Sequence, residues 1–175
     1  MSKKNFEYDR QSVEAKFSIF IDGYADVNAF LVANFTPKNR LNTANASYKV
    51  DGINIGESLA QGFEANAPSV LYLGKNPLIK VSKKVDEKMS KSSFFGNTKT
   101  TTNSWDYEIT NGSNRTWEIT LAERIPLSTS DDIKISEKSN DKASTDKEGR
   151  AEYKFSLKAS EKKSINFGYE VSEPK

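Results

Sequence analysis

Apolar side chains recur at every second position along most of this 175-residue chain. The clearest runs are residues 151–157 and 165–171, in which every odd position is apolar. Because successive side chains of a β-strand point to opposite faces of the sheet, this period predicts strands with one buried face. Apolar residues three and four positions apart, as an amphipathic helix needs, are hard to find. We therefore predict an all-β fold.

Turn sequences between the alternating runs predict three antiparallel hairpins. Asp51-Gly52 favours a two-residue type I′ turn, because glycine accepts positive φ values at little cost. An Asn-Gly-Ser-Asn connection joins residues 105–109 to 117–121, and a polar connection joins residues 151–157 to 165–171. Further strands are predicted at residues 17–21, 28–35, 69–73, 79–87, 98–104 and 132–136.

The distribution of strands predicts two β domains. Residues 77–175 hold about seven strands, which suits an antiparallel immunoglobulin- or fibronectin-like β-sandwich. Residues 1–76 hold fewer and shorter strands, and we predict a partial β subdomain whose open sheet edge needs a cover. The polar segments 88–99 and 136–149 are predicted to be low in regular structure.

The chain has no cysteine and no histidine. Disulfides, thiolate metal sites and cysteine nucleophiles are thereby excluded, and the usual general base near neutral pH is missing. Asp131 and Asp132 are adjacent, so a strand would direct them to opposite faces, and Asp141, Asp146 and Glu148 lack the spacing of a calcium-binding EF-hand loop. We therefore predict that the chain is not an enzyme and has no metal or cofactor site.

Charge and hydropathy limit the partners. The net charge of +2 gives no field directed at nucleic acid, and no apolar run reaches the roughly 18 residues of a membrane span. The first five residues lack the apolar core of a signal peptide. One lysine-rich stretch is interrupted by acidic residues and predicts a solvated strand face: Lys80, Lys83, Lys84, Lys88 and Lys91.

Aromatic residues supply the candidate binding sites. Phe94 and Phe95 precede Gly96 at a predicted loop tip, where they either pack back on the sandwich or form a tip that inserts into a partner, a glycan or a membrane surface. Trp105 and Trp117 lie in alternating apolar stripes, which indicates core positions rather than a sugar-stacking platform. We predict Phe94, Phe95 and Gly96 as the partner-binding tip.

The run YEITNGSNRTWEITLAERIPLSTSDDIKI (107–135) resembles the core of the DUF4139 domain family. Segments 28–36, 48–58 and 155–175 resemble other family motifs in the same order. The resemblance implies an all-β fold and often an exported, envelope-associated protein, but no established activity. This chain has Ala159-Ser160, and also Asn66-Ala67, where the family has Pro-Gly, so we expect looser turns there.

From the pattern and the resemblance we predict a structural or protein-interaction module of a cell-envelope-associated protein. Its expected partner is another protein or a second copy of the chain. A carbohydrate-binding module is the alternative, since sandwiches with many aromatic residues often bind glycans.

Overall fold

A computed structural model of the chain describes residues 12–50 and 53–174. This part of the chain consists of strands and their connections and contains no helix, which confirms the all-β prediction. Its strands, in chain order, are β1 (Ala15–Asp22), β2 (Asp26–Phe35), β3 (Ala44–Val50), β4 (Ile53–Ala60), β5 (Ser69–Lys75), β6 (Ile79–Val85), β7 (Lys91–Phe95), β8 (Thr98–Asn111), β9 (Trp117–Arg124), β10 (Lys134–Glu137), β11 (Ser144–Thr145), β12 (Arg150–Leu157) and β13 (Lys162–Pro174).

Residues 18–31 and 74–174 form one compact unit built from two sheets. One sheet has the strand order β11-β12-β9-β1-β2 within this unit, and the other has the order β10-β13-β8-β6, with β7 also paired to β8. The long β8–β13 ladder runs from Thr98 opposite Pro174 to Thr110 opposite Lys162. Most ladders are antiparallel as predicted, but β1 and β9 pair in parallel, so the antiparallel prediction is wrong at this ladder.

Two of the three predicted hairpins are wrong in their pairing. Strand β8 pairs with β13 and β6, whereas β9 pairs with β12 and β1, so the connection after Asn111 crosses from one sheet to the other. Strand β12 likewise lies in the sheet of β9, and β13 lies in the sheet of β8. Both connections are therefore arches between sheets, and the apolar stripes that they join face each other across the core.

Asn111 joins these two arches. Its side chain is fully buried, and its amide nitrogen donates to the carbonyl oxygens of Arg115 at 2.8 Å, Leu157 at 3.0 Å and Lys158 at 2.9 Å. Its side-chain oxygen accepts hydrogen bonds from the backbone nitrogen and the hydroxyl of Ser113. One asparagine therefore satisfies the backbone of both connections at the same end of the unit.

Most of the core of this unit comes from the inward positions of the alternating runs, and Ala122 is buried on the opposite face of β9. These side chains are 6% exposed or less: Ile19, Ile21, Ala29, Ile79, Tyr107, Ile109, Trp117, Ile119, Leu121, Ala122, Ala151, Tyr153, Leu157, Ile165 and Phe167.

Residues 12–17, 32–50 and 53–73 belong to a second compact unit. In it β3 and β4 form a separate two-stranded sheet, and β5 is hydrogen-bonded to β2. Leu41 and Phe63 form an isolated antiparallel bridge, and the Phe63 ring meets Phe35 edge-on at 5.2 Å. The β3–β4 pairing agrees with the hairpin predicted around Asp51-Gly52, although these two turn residues lie outside the described residues. The predicted division at residues 76 and 77 stays a prediction.

The two turns in which this chain lacks the Pro-Gly of the family each contain a residue with positive φ. Ser160 and Asn66 each have φ of 59°, the left-handed conformation that glycine adopts most easily. The Ser160 turn is closed by a hydrogen bond of 3.1 Å from the Glu161 nitrogen to the Lys158 carbonyl oxygen. Thus the turn is formed, with conformational strain at the serine.

Candidate functional site

A glutamate occupies a core position of the two-sheet unit. Along β9 the side chains of Trp117, Ile119 and Leu121 point inward, and the same period brings Glu123 to the inner face, where it is 2% exposed. An ionised carboxylate in such a position is costly unless charged and polar groups surround it. Its partners therefore decide what the site can do.

Those partners come from the opposite sheet. Lys83 on β6 places its Nζ 2.7 Å from Glu123 Oε1, and the Tyr107 hydroxyl on β8 donates a hydrogen bond to the same oxygen. The other carboxylate oxygen accepts from the Arg124 backbone nitrogen at 3.2 Å. We call Lys83, Tyr107 and Glu123 the inter-sheet cluster. It links the two sheets through charge-assisted hydrogen bonds.

The turn between β1 and β2 completes this cluster. The Gly23 carbonyl oxygen accepts hydrogen bonds from Lys83 Nζ at 2.9 Å and from the Tyr107 hydroxyl at 3.2 Å. A Cβ atom at position 23 would lie 2.4 Å from the Tyr107 hydroxyl oxygen. Only glycine lets the backbone approach the cluster this closely.

Burial controls the ionisation of the tyrosines around the cluster. It raises the pKa of Tyr107 far above its usual value of 10.0, and the hydrogen bond to Glu123 and the charge of that carboxylate raise it further. Burial also raises the pKa of Tyr153 to about 12, against the opposing effect of its hydrogen bond with Ser139. Tyr107 therefore remains a protonated hydrogen-bond donor to Glu123 across the physiological pH range.

The two tryptophans have different environments. Trp117 is 6% exposed, as its predicted core position requires, and its indole nitrogen donates to Ser113 Oγ at 3.2 Å. Trp105 is half-buried and stacks on Phe167 with 5.8 Å between ring centroids. Lys83 Nζ lies 5.0 Å from the Trp105 ring centroid, a cation–π contact that adds to the inter-sheet cluster.

The structure separates the predicted lysine stretch. Lys80, Lys84, Lys88 and Lys91 are exposed, in agreement with a solvated face. The prediction is wrong for Lys83, whose side chain is only 22% exposed because it turns inward to Glu123.

The remaining acidic residues singled out in the sequence lie at turns. Asp131 and Asp132 are exposed, and Asp146 accepts hydrogen bonds from the backbone nitrogens of Glu148 and Arg150 within its own turn. Asp141 accepts a hydrogen bond of 2.9 Å from the Asn166 backbone nitrogen. Across residues 12–50 and 53–174, no group of three or more acidic residues is arranged to hold a metal ion.

A polar cleft of about 490 Å³ lies on the other face of the β6-β8-β13 sheet. Asn166, 7% exposed, donates from its amide to Asp106 Oδ1 at 2.8 Å and to Ser104 Oγ at 3.0 Å. The Asn166 amide thus donates to neighbouring protein groups rather than into the cleft. The cleft is lined by residues that include Ser82, Lys84, Asp106, Glu108, Asp141 and Asn166.

The predicted tip is the end of a β-hairpin. Residues 91–95 form β7, paired with the start of β8, so the prediction of a loop at 88–99 is wrong there. Phe95 is 91% exposed and Phe94 is 61% exposed, and Gly96 begins the turn with φ of 57°. Phe95 therefore does not pack back on the sandwich.

Glu123 and Lys83 were not among the site residues predicted from the sequence. A usable signal was present, because Glu123 continues the Trp117–Leu121 stripe and Lys83 continues the stripe of Ile79 and Val81. Opposite charges at inward phases of two strands predict a buried pair.

Comparison with known proteins adds the family. The model of a domain of unknown function, DUF4139, matches residues 5–175. No curated protein and no solved structure matches the chain significantly. The described residues also include no helix with the length and apolar character needed to cross a membrane. Since the match extends over nearly the whole sequence, the chain belongs to the DUF4139 family.

Proposed function

We propose that this chain is a non-catalytic structural or protein-interaction module of a cell-envelope-associated protein. The observation that carries the proposal is the small β3–β4 sheet, which pairs with no other strand in the described part of the chain. A two-stranded sheet is marginally stable alone, and its open edges are templates for another chain.

Exposed apolar side chains on the same unit support a protein partner. Ile53 is 70% exposed and Leu59 is 68% exposed on β4, and Tyr72 on β5 is 55% exposed. Burying a large apolar side chain contributes about 1.5–3 kcal/mol, so a partner that covers these residues gains affinity from each one.

The inter-sheet cluster supports a module that is not an enzyme. In the inter-sheet cluster, Glu123 is 2% exposed and its oxygens already accept from Lys83, Tyr107 and the Arg124 backbone. A general acid or base must reach a substrate atom, directly or through one water.

The proposed envelope location rests on the resemblance to exported members of the family.

Carbohydrate binding is less well supported. The two tryptophans do not form a sugar platform, because Trp117 is buried and Trp105 packs on Phe167 beside the Lys83 ammonium group. A glycan array probed with the whole chain addresses this alternative, and specific retention of one sugar class would favour it over the protein contact.

Site-specific photo-crosslinking in producing cells tests the protein contact. A photoreactive phenylalanine analogue replaces Leu59 or Tyr72, and the control replaces Leu127, which is similarly exposed at 65% but lies in the two-sheet unit. We expect one discrete protein adduct at positions 59 and 72 and none at 127. Equal labelling at all three positions, or no adduct at 59 and 72, would reject the proposal.

A further inference from the structure

The β7–β8 hairpin ends in an apolar tip. Phe95 and Thr98 are the last paired residues, and Gly96 and Asn97 form a two-residue turn between them. Gly96 has φ of 57°, as the first central residue of a type II′ turn requires. This tight turn places Phe95, 91% exposed, next to the end of the hairpin.

The two phenylalanines project from opposite faces of the ribbon. They are consecutive residues of β7, and successive strand side chains alternate between faces. Both rings are exposed, Phe94 at 61% and Phe95 at 91%. The surface of a folded protein partner covers one face of a ribbon most readily, whereas the boundary between lipid headgroups and acyl chains can surround both.

Among the residues that the structure describes, the outermost row of the hairpin carries no charged side chain, and charges appear in the row behind it. The outermost row of the sheet consists of Phe95, Thr98 and Pro174. In the next row the charges of Lys99 and Glu173 form an ion pair of 3.1 Å. An uncharged tip is what insertion into an apolar boundary demands.

An exposed lysine lies further back along the hairpin. Lys91 is paired with Thr102, four positions behind Phe95. At about 3.4 Å per residue this separation is roughly 14 Å, which the long lysine side chain partly spans. With Phe95 inserted by about 5–10 Å, the ammonium group of Lys91 reaches the level of lipid phosphates.

From this arrangement we propose that the β7–β8 tip docks on an anionic lipid surface. Phe95 and Phe94 enter the boundary between headgroups and acyl chains, and Lys91 contacts the phosphates. The contact is peripheral, it uses a different unit from the protein contact proposed above, and neither depends on the other.

Sedimentation with lipid vesicles tests the proposal. We expect the chain to sediment with vesicles of phosphatidylcholine and phosphatidylserine more strongly than with phosphatidylcholine alone, and the difference to shrink as salt increases. Phe95→Ser is expected to weaken binding to the mixed vesicles by roughly tenfold or more. Lys91→Gln should weaken binding about fivefold, on anionic vesicles only. The control is Leu127→Ser, which removes a similarly exposed apolar residue elsewhere and leaves binding unchanged.

Tryptophan fluorescence gives a second readout. Phe95→Trp should show a blue shift and quenching by brominated lipid on the mixed vesicles, after subtraction of the wild-type signal. Leu127→Trp should show neither change.

Three results would overturn the proposal. The first is failure of the wild-type chain to bind mixed vesicles, and the second is unchanged binding by Phe95→Ser. The third is a combination of two observations. In the absence of lipid, Phe95→Ser lowers the sedimentation coefficient, and in the presence of mixed vesicles, Phe95→Trp shows no blue shift. This combination would assign the tip to self-association instead.

Discussion

Lys83 donates a hydrogen bond to Glu123 across the two sheets, with 2.7 Å between Nζ and Oε1. The same ammonium group donates to the Gly23 carbonyl oxygen at 2.9 Å. One cation therefore connects strand β6, strand β9 and the β1–β2 turn. Because Glu123 is 2% exposed, loss of any of these contacts leaves a buried polar group with fewer partners.

Gly23→Ala should destabilise the fold. The new Cβ atom would lie 2.4 Å from the Tyr107 hydroxyl oxygen and 3.1 Å from Glu123 Oε1, so the turn must move away from the cluster. We expect a loss of about 2 kcal/mol in the free energy of unfolding, measured by urea denaturation. Adding Tyr107→Phe removes the closest clash, and the double variant should therefore lose less than the sum of the single losses. Strict additivity would contradict the close approach.

Alkaline pH should destabilise the chain through Tyr107. Its pKa is raised in the folded state, so the folded chain holds this proton at a pH where the unfolded chain has released it. The stabilisation is complete below about pH 10, the usual tyrosine pKa, and is lost as the pH rises above it. Tyr107→Phe should reduce the decline of unfolding free energy above that pH by about 1.4 kcal/mol per pH unit.

Denaturation curves collected in steps across the alkaline range provide this measurement. Tyr153→Phe supplies a comparison, because burial raises the pKa of Tyr153 to about 12 and removal of its hydroxyl should also flatten the profile. Parallel profiles for wild type and Tyr107→Phe would show that Tyr107 is not the group responsible.

Ser160→Gly should stabilise the fold. Ser160 has φ of 59°, which strains a residue with a side chain, whereas glycine adopts this conformation readily. We expect a gain of about 0.5–1 kcal/mol, visible as a rise of a few degrees in the thermal midpoint. Ala159→Gly is the matched control, since its backbone does not need positive φ and the change should give no gain. A lower midpoint for Ser160→Gly would refute the strain at this turn.

The sequence located strands better than it located their neighbours. Alternation identified the buried faces of β8, β9, β12 and β13, because burial on one face fixes the period within a strand. The same pattern arises whether two strands are neighbours in one sheet or face each other across a core. The pattern therefore predicted a hairpin where the chain forms the arch at Asn111. The hydrogen bonds from the Asn111 side chain to Leu157 and Lys158 join residues that are distant in sequence.

The candidate sites show the same limit. Phe94 and Phe95 were identified because two aromatic residues beside a glycine are unusual in a polar segment, and their exposure follows from a hairpin that the polar composition concealed. Glu123 and Lys83 were missed because charge suggested solvent, although their phase in each strand indicated the core. Pairing across sheets is a tertiary contact that local periodicity does not encode.

A double-mutant cycle tests the inter-sheet pair most directly. Lys83→Met and Glu123→Gln should each lower the unfolding free energy by about 3 kcal/mol, since each leaves the other group without its oppositely charged partner. The double variant should lose less than the sum of the two, with a coupling of about 2 kcal/mol. The same cycle on Lys99 and Glu173, an ion pair exposed at 42% and 39%, should give a coupling below about 1 kcal/mol. Equal, near-zero coupling in both cycles would contradict a buried ion pair between the sheets.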